Sequence, residues 1–143
     1  MINNVTEIAS HIMEAKVKKG DTAIDATCGN GWDTLKLSKL VGKEGKVYAF
    51  DIQERAIENT GCLLKEKTEE QNYFLILDTH ENIPFYVKEK IDFAIFNLGY
   101  LPKGDKEITT KGEATLKAVR ESMCLLKKDG LIVISAYVGH KGG

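Results

Sequence analysis

The apolar residues Val5, Ile8, Ala9, Ile12 and Met13 recur at three- and four-residue intervals, which predicts an amphipathic helix with Asn3 or Asn4 as N-cap and Gly20 just past its end. The spacing then changes. Thr22 to Thr27 (TAIDAT) is a short β-branched run closed by the turn CGNG, and it predicts a first strand followed by a helix from about Trp32 to Val41. Lys46 to Ile52 (KVYAFDI) predicts a second strand, and its helix, from about Glu54 to Lys67, turns Ile57, Thr60, Gly61 and Leu64 to one side. Tyr73 to Leu77, Ile91 to Leu98 (IDFAIFNL) and Leu131 to Tyr137 (LIVISAY) predict three further strands. Before the last of them, a helix from about Gly112 to Leu126 sets Thr115, Ala118, Val119, Ser122, Met123 and Leu126 on one stripe, while Lys117, Arg120 and Glu121 point away. The stretch from Asn82 to Lys90 is too short and too mixed to assign. Short strands alternating with helices predict βαβ units and a doubly wound, mainly parallel sheet with helices on both faces.

Composition narrows the possibilities. A chain of 143 residues that is 43% hydrophobic has material for one core, so residues 1–143 are expected to form a single domain. Its 20 Lys and Arg nearly balance 21 Asp and Glu, so any nucleic-acid contact has to rest on a local patch and not on a chain-wide basic field. Cys28, Cys62 and Cys124 lack both the CxxC spacing of zinc sites and the density of a disulfide scaffold, which points to a reducing compartment and to no metal centre. No leader-like opening and no apolar run near the roughly 18 residues of a membrane span is present, and a cytoplasmic location is expected.

In a parallel sheet the ligand crevice lies at the carboxyl ends of the strands, and the unusual polar residues of this chain fall there. Asp25-Ala26-Thr27-Cys28-Gly29-Asn30-Gly31 leaves the first strand through a glycine-rich bend, where missing Cβ atoms let backbone approach a ligand. A dinucleotide site asks for a third small residue where this chain has Thr34, which argues against a nicotinamide dehydrogenase. Asp51 ends the second strand about 20 residues beyond the bend, the place for an acid that accepts from both ribose hydroxyls; capping of the next helix is the plainer alternative. Ile52 and Gln53 follow as flanks for a base or ribose. Asp78 and His80 follow the third strand at the same end of the sheet, with a surface histidine as the alternative for His80.

The stretch Asn97-Leu98-Gly99-Tyr100-Leu101-Pro102 closes the fourth strand, with Asn97 and Tyr100 as candidate catalytic residues. A polar loop, Lys103 to Lys111, follows; its three lysines suit a phosphate-bearing substrate, or are solvated surface charge. His140, in the tail Gly139-His140-Lys141-Gly142-Gly143, is a candidate base for an amine near neutral pH.

Several of these motifs carry a resemblance. The bend Asp25 to Gly31 resembles motif I of class I S-adenosylmethionine-dependent methyltransferases, and Asn97 to Tyr100 is similar to their N/D-P-P-Y signature, with Leu98 and Gly99 in place of the prolines. DATCGNG with DTL, VYAFDIQ, the His80-Glu81 pair, FNLGYLPKGDK and YVGHKGG together resemble a bacterial rRNA methylase family, some members of which are assigned as methyltransferases of 5-aminomethyl-2-thiouridine at the tRNA wobble position. Trp32 stands where that family pattern has His.

The resemblance implies a Rossmann-like fold and S-adenosylmethionine as cofactor, with S-adenosylhomocysteine as product. Asp25, Thr27, Cys28, Gly29, Asn30, Gly31, Asp51, Ile52, Gln53, Asp78, His80 and Asn97 would bind the cofactor, and Asn97, Tyr100 and His140 would serve catalysis. It further implies an RNA substrate, tRNA before rRNA; a homodimer is expected only as one way to cover the edge of the sheet, the alternatives being a fragment or an exposed edge. Folds of this class end with a helix and an antiparallel strand pair that the sequence, ending at Gly143, is expected to lack. Two alternatives remain open: a small-molecule methyltransferase and a non-catalytic S-adenosylmethionine-binding module.

Overall fold

The structure is a computed structural model that describes the backbone of residues 5–101 and 105–138, and side chains for 5–98 and 112–136. Helix α1 (Val5–Lys16) leads into β1 (Thr22–Asp25), α2 (Trp32–Val41), β2 (Lys46–Asp51), α3 (Glu54–Lys67) and β3 (Tyr73–Leu77). A short 3-10 turn (His80–Asn82) and the one-turn helix α4 (Ile83–Tyr86) fill the stretch that the pattern left unassigned; β4 (Ile91–Leu101), α5 (Asp105–Leu125) and β5 (Leu126–Val138) follow. The strands form one sheet in the order β3-β2-β1-β4-β5, and every neighbouring pair is parallel.

Alternation along the strands separates two apolar layers. Ala23, Val47, Phe93 and Ile95 meet Ala9, Met13 and Val17 on the α1 side and Leu37 and Val41 of α2 on one face, whereas Ile24, Phe50, Ala94 and Phe96 meet Ile83 and Ala118 on the other. Ile91 joins the second layer although Phe93, two residues on, joins the first; a register irregularity between them accounts for the switch. The central strand β1 is buried along its whole length, as a strand covered by helices on both faces must be. Fully burying Phe50, Phe93 and Phe96 contributes about 1.5–3 kcal/mol each.

Three boundaries differ from the pattern. Helix α5 begins at Asp105, so most of the expected Lys103–Lys111 loop is helical, and Gly112 lies inside the helix. Strand β5 begins at Leu126, ahead of the Lys127-Lys128-Asp129-Gly130 stretch that reads as a turn. Strand β1 stops at Asp25, which releases Ala26 and Thr27 to the bend.

The connections place the functional end. The chain runs β1, β2, β3 outward, then returns to lay β4 against the other side of β1, so the winding reverses between β1 and β4. Ligands of open α/β sheets bind beyond the strand ends at this reversal.

Candidate cofactor and substrate site

After Asp25 the backbone bends sharply and enters α2 at Trp32. Gly29 (φ +52°) and Gly31 (φ +93°) supply the left-handed conformations that the bend needs. Gly31 is doubly required, because a Cβ there would lie 2.9 Å from Thr60 Cα on α3. The bend is strapped to its surroundings. Gly29 N donates to Asp51 Oδ2 at 3.0 Å, Thr60 Oγ1 donates to Gly29 O at 3.1 Å, and Cys28 N donates to Phe50 O at 2.9 Å. Buried Cys28 has its thiol pushed up to about 11, mainly by burial, so it stays protonated at neutral pH and is no nucleophile.

The two acids at the strand tips occupy opposite settings. Asp25 is completely buried: Oδ2 accepts from Thr34 Oγ1 at 2.7 Å and Oδ1 from Thr27 N at 3.2 Å. Burial drives its carboxyl up to about 7 against the opposing pull of the Thr34 hydrogen bond, with Asp33 adding to the rise. Asp25 therefore reaches the bend from underneath. Asp51 is half-exposed, and each of its oxygens accepts one backbone N–H, Oδ2 from Gly29 and Oδ1 from Gln53 at 3.0 Å. Beside it opens a cleft of about 330 Å³ lined by Gly29, Asn30, Asp51, Gln53, Arg55, Ala56 and Asn59.

Arg55, Ala56 and Asn59 were not among the residues expected from the sequence. Their i, i+1 and i+4 positions on the helix that follows Asp51 were the available signal, since one face of that helix has to meet the β2 tip. A ribose diol suits this pair of acceptors: a carboxylate with one backbone N–H on each oxygen keeps a further acceptor site on each. Ile52, 70% exposed at the same tip, is an apolar platform of the kind that a base requires.

The β3 tip is more self-contained. Asp78 Oδ1 accepts from Thr79 N and Asn82 Nδ2, and Oδ2 accepts from Tyr86 OH at 2.6 Å, with Tyr86 the main reason its carboxyl sits below the usual range. Its oxygens hold the local loop together. His80 is half-buried, with Nδ1 3.3 Å from Ala26 O and the ring 5.4 Å from Phe96. Burial lowers its pKa despite the Ala26 carbonyl, so the ring is neutral at pH 7; the carbonyl partner assigns the proton to Nδ1.

At the reversal point, Asn97 N donates to Thr27 Oγ1 at 2.7 Å, tying the β4 tip to the bend. Asn97 Nδ2 donates to Asp33 Oδ2 at 2.6 Å, and Ser135 Oγ donates to Asn97 Oδ1. Sequence reasoning missed Asp33 and Ser135. The side chain of Tyr100 and the whole of His140 lie outside the described residues. Trp32 is 62% exposed at the start of α2.

A parallel sheet in this order, with a glycine bend after β1 and an acid at the β2 tip, is the Rossmann-like arrangement that class I methyltransferases share with dinucleotide-binding folds. Residues 47–143 match the family described as "Putative rRNA methylase", and the chain belongs to it. It is 43% identical, over 96% of its own length, to the Arabidopsis thaliana protein "tRNA (mnm(5)s(2)U34)-methyltransferase, chloroplastic", and it spans 54% of that protein, about half the length of the curated relatives it matches. Among solved structures, an rRNA methylase from Streptococcus thermophilus superposes with a TM-score of 0.82 at 40% identity, covering 98% of this chain and 74% of the other. A Streptococcus mutans protein crystallised in complex with SAH superposes with a TM-score of 0.79 at 41% identity, covering 94% of this chain and 73% of the other.

Proposed function

We propose that residues 1–143 form one S-adenosylmethionine-dependent methyltransferase domain that N-methylates a primary amine on RNA, namely the aminomethyl group of 5-aminomethyl-2-thiouridine at the tRNA wobble position. The observation that carries this reading is the position of Asn97: an exposed carboxamide joined through its backbone N–H to the glycine bend, at the reversal point of the sheet. The 43% identical relative is named for that substrate, which supports tRNA over rRNA.

When bound, the cofactor supplies a methyl group on a sulfonium. Asp51 would accept from the ribose hydroxyls, Ile52 would offer the adenine an apolar contact, and Asn30 and the bend would hold the methionine end. Asp25 holds the bend in shape through Thr27 and Thr34 without reaching the cleft. Asn97 accepts an N–H of the amine through Oδ1 and so aims the nitrogen lone pair. Displacement at a methyl carbon by a neutral amine depends on alignment more than on acid or base strength, and an orienting carboxamide is what it needs. Tyr100 and His140 keep their catalytic assignment in this reading, with His140 taking up the proton that the amine loses.

Among the described residues no helix is long and apolar enough to cross a membrane. A cytoplasmic setting and a homodimer are further parts of the proposal. The test is incubation with labelled S-adenosylmethionine and tRNA lacking the methyl group, followed by nucleoside mass spectrometry. Label in the wobble uridine is expected. A silent result from folded, cofactor-bound protein contradicts the RNA assignment, and transfer to small amines but not to tRNA replaces it with a small-molecule methyltransferase.

A further inference from the structure

The Asn97 carboxamide is held at both ends, by Asp33, which opens the DTL motif, and by Ser135, which no motif singles out. Ser135 is its lateral partner in the β4–β5 register, and Asp33 lies in the first turn of α2, 64 residues away in sequence. A carboxamide has two rotations that exchange oxygen and nitrogen, and only one fits here. A carboxylate only accepts, so the end facing Asp33 must be the NH2 group; the other rotation would set an oxygen against the Asp33 oxygens. Ser135 then donates to Asn97 Oδ1 and leaves that oxygen a second lone pair. Asp33 uses Oδ2 for Asn97 and keeps acceptor capacity beside it.

We propose that Asp33, Asn97 and Ser135 form one acceptor clamp for a primary amine, in which Ser135 is a positioning residue and Asp33 both fixes the rotation of the Asn97 amide and offers the amine its second acceptor. The inference rests on the amine-methylation reading above and names the substrate group that the clamp selects. A primary amine brings two N–H donors and a lone pair, so two fixed acceptors hold the donors and leave the lone pair free to face the methyl. A hydroxyl brings one donor and a ring carbon brings none, so neither is held in this way. Thr27 completes the arrangement, because its hydroxyl accepts from Asn97 N and sets the distance between the clamp and the bend.

Two readouts separate the clamp from the functional reading. In proton–nitrogen spectra of the protein, with the Asn97 side-chain signal assigned by its loss in Asn97→Ala, the two NH2 protons are expected well separated and the bonded one shifted downfield. Asp33→Ala should collapse that separation, and Asp33→Asn, which keeps an acceptor oxygen, should retain most of it. In methyl transfer to tRNA carrying 5-aminomethyl-2-thiouridine, Asp33→Ala should lower kcat about tenfold or more, with S-adenosylhomocysteine affinity within about twofold of wild type. Asp33→Asn should recover most of the lost turnover. An Asn97 signal in the ordinary range, or one that Asp33→Ala leaves unchanged, overturns the clamp whatever the enzyme activity. Equal kcat for Asp33→Ala and wild type overturns its part in the reaction, and a clamp signal in a wild type that transfers no methyl group overturns the functional reading instead.

Discussion

The tips of β1 and β2 look alike in the sequence, each a short apolar strand ending in Asp, yet they do different work. Asp51 stands at the mouth of the cleft with acceptor capacity to spare, while Asp25 is sealed beneath the bend with its carboxyl pushed up to about 7. Strand parity places both at the carboxyl end of the sheet. Depth separates them: β1 is the strand at the centre, packed between β2 and β4, and the bend after it folds back over its last residue. A carboxylate at a strand tip is thus accessible to a ligand only where the following loop leaves it uncovered.

The largest effect should come from closing the space that the bend requires. Gly31→Ala adds a Cβ at 2.9 Å from Thr60 Cα and asks Ala to hold φ near +93°, and combined strain and overpacking should cost about 3 kcal/mol in urea unfolding. A loss under about 1 kcal/mol would mean that α3 yields and that the bend is not strapped as described.

Next, Asp51→Ala deprives Gly29 N and Gln53 N of their acceptor, and about 1 kcal/mol of stability in urea unfolding should be lost even without ligand.

Asp25→Asn sharpens the contrast through pH. The unfolded carboxyl ionises near 3.8, whereas the folded one holds its proton up to about 7. The folded state therefore binds more protons at Asp25 between those values, so the contribution of Asp25 to stability is full below about pH 4, falls through the window and is lost above about pH 7, by an amount on the order of 1–4 kcal/mol. Titration of His80, whose lowered pKa acts in the opposite sense, is common to both proteins, so the wild-type-minus-variant difference isolates Asp25. Parallel pH profiles for the two proteins would remove Asp25 as a buried, protonated group.

Much of the fold was legible because its strands are short, apolar and set off by glycine, and α2, α3 and β3 begin and end where periodicity puts them. The α5 start was not legible. Thr109, Thr110 and Gly112 are weak helix formers in a polar stretch, and nothing local marks the helix that runs through them. The β5 start was hidden in a similar way, because Lys127 to Gly130 have turn composition and the pairing of Leu126 with Ile91 is a long-range event.

In the site, Asp51 and the glycines announced themselves by spacing. Asp33 and Ser135 did not, since their meeting at Asn97 depends on lateral register and on the direction in which α2 leaves the bend.

The contrast between the two acids is tested most directly by calorimetric titration of S-adenosylhomocysteine into wild type, Asp51→Ala and Asp25→Asn at pH 7, with folding of each verified by circular dichroism. Asp51→Ala is expected to weaken binding by about tenfold to a hundredfold, in keeping with the loss of a charged acceptor, while Asp25→Asn stays within about threefold of wild type. Binding that survives in Asp51→Ala and fails in Asp25→Asn would contradict the contrast.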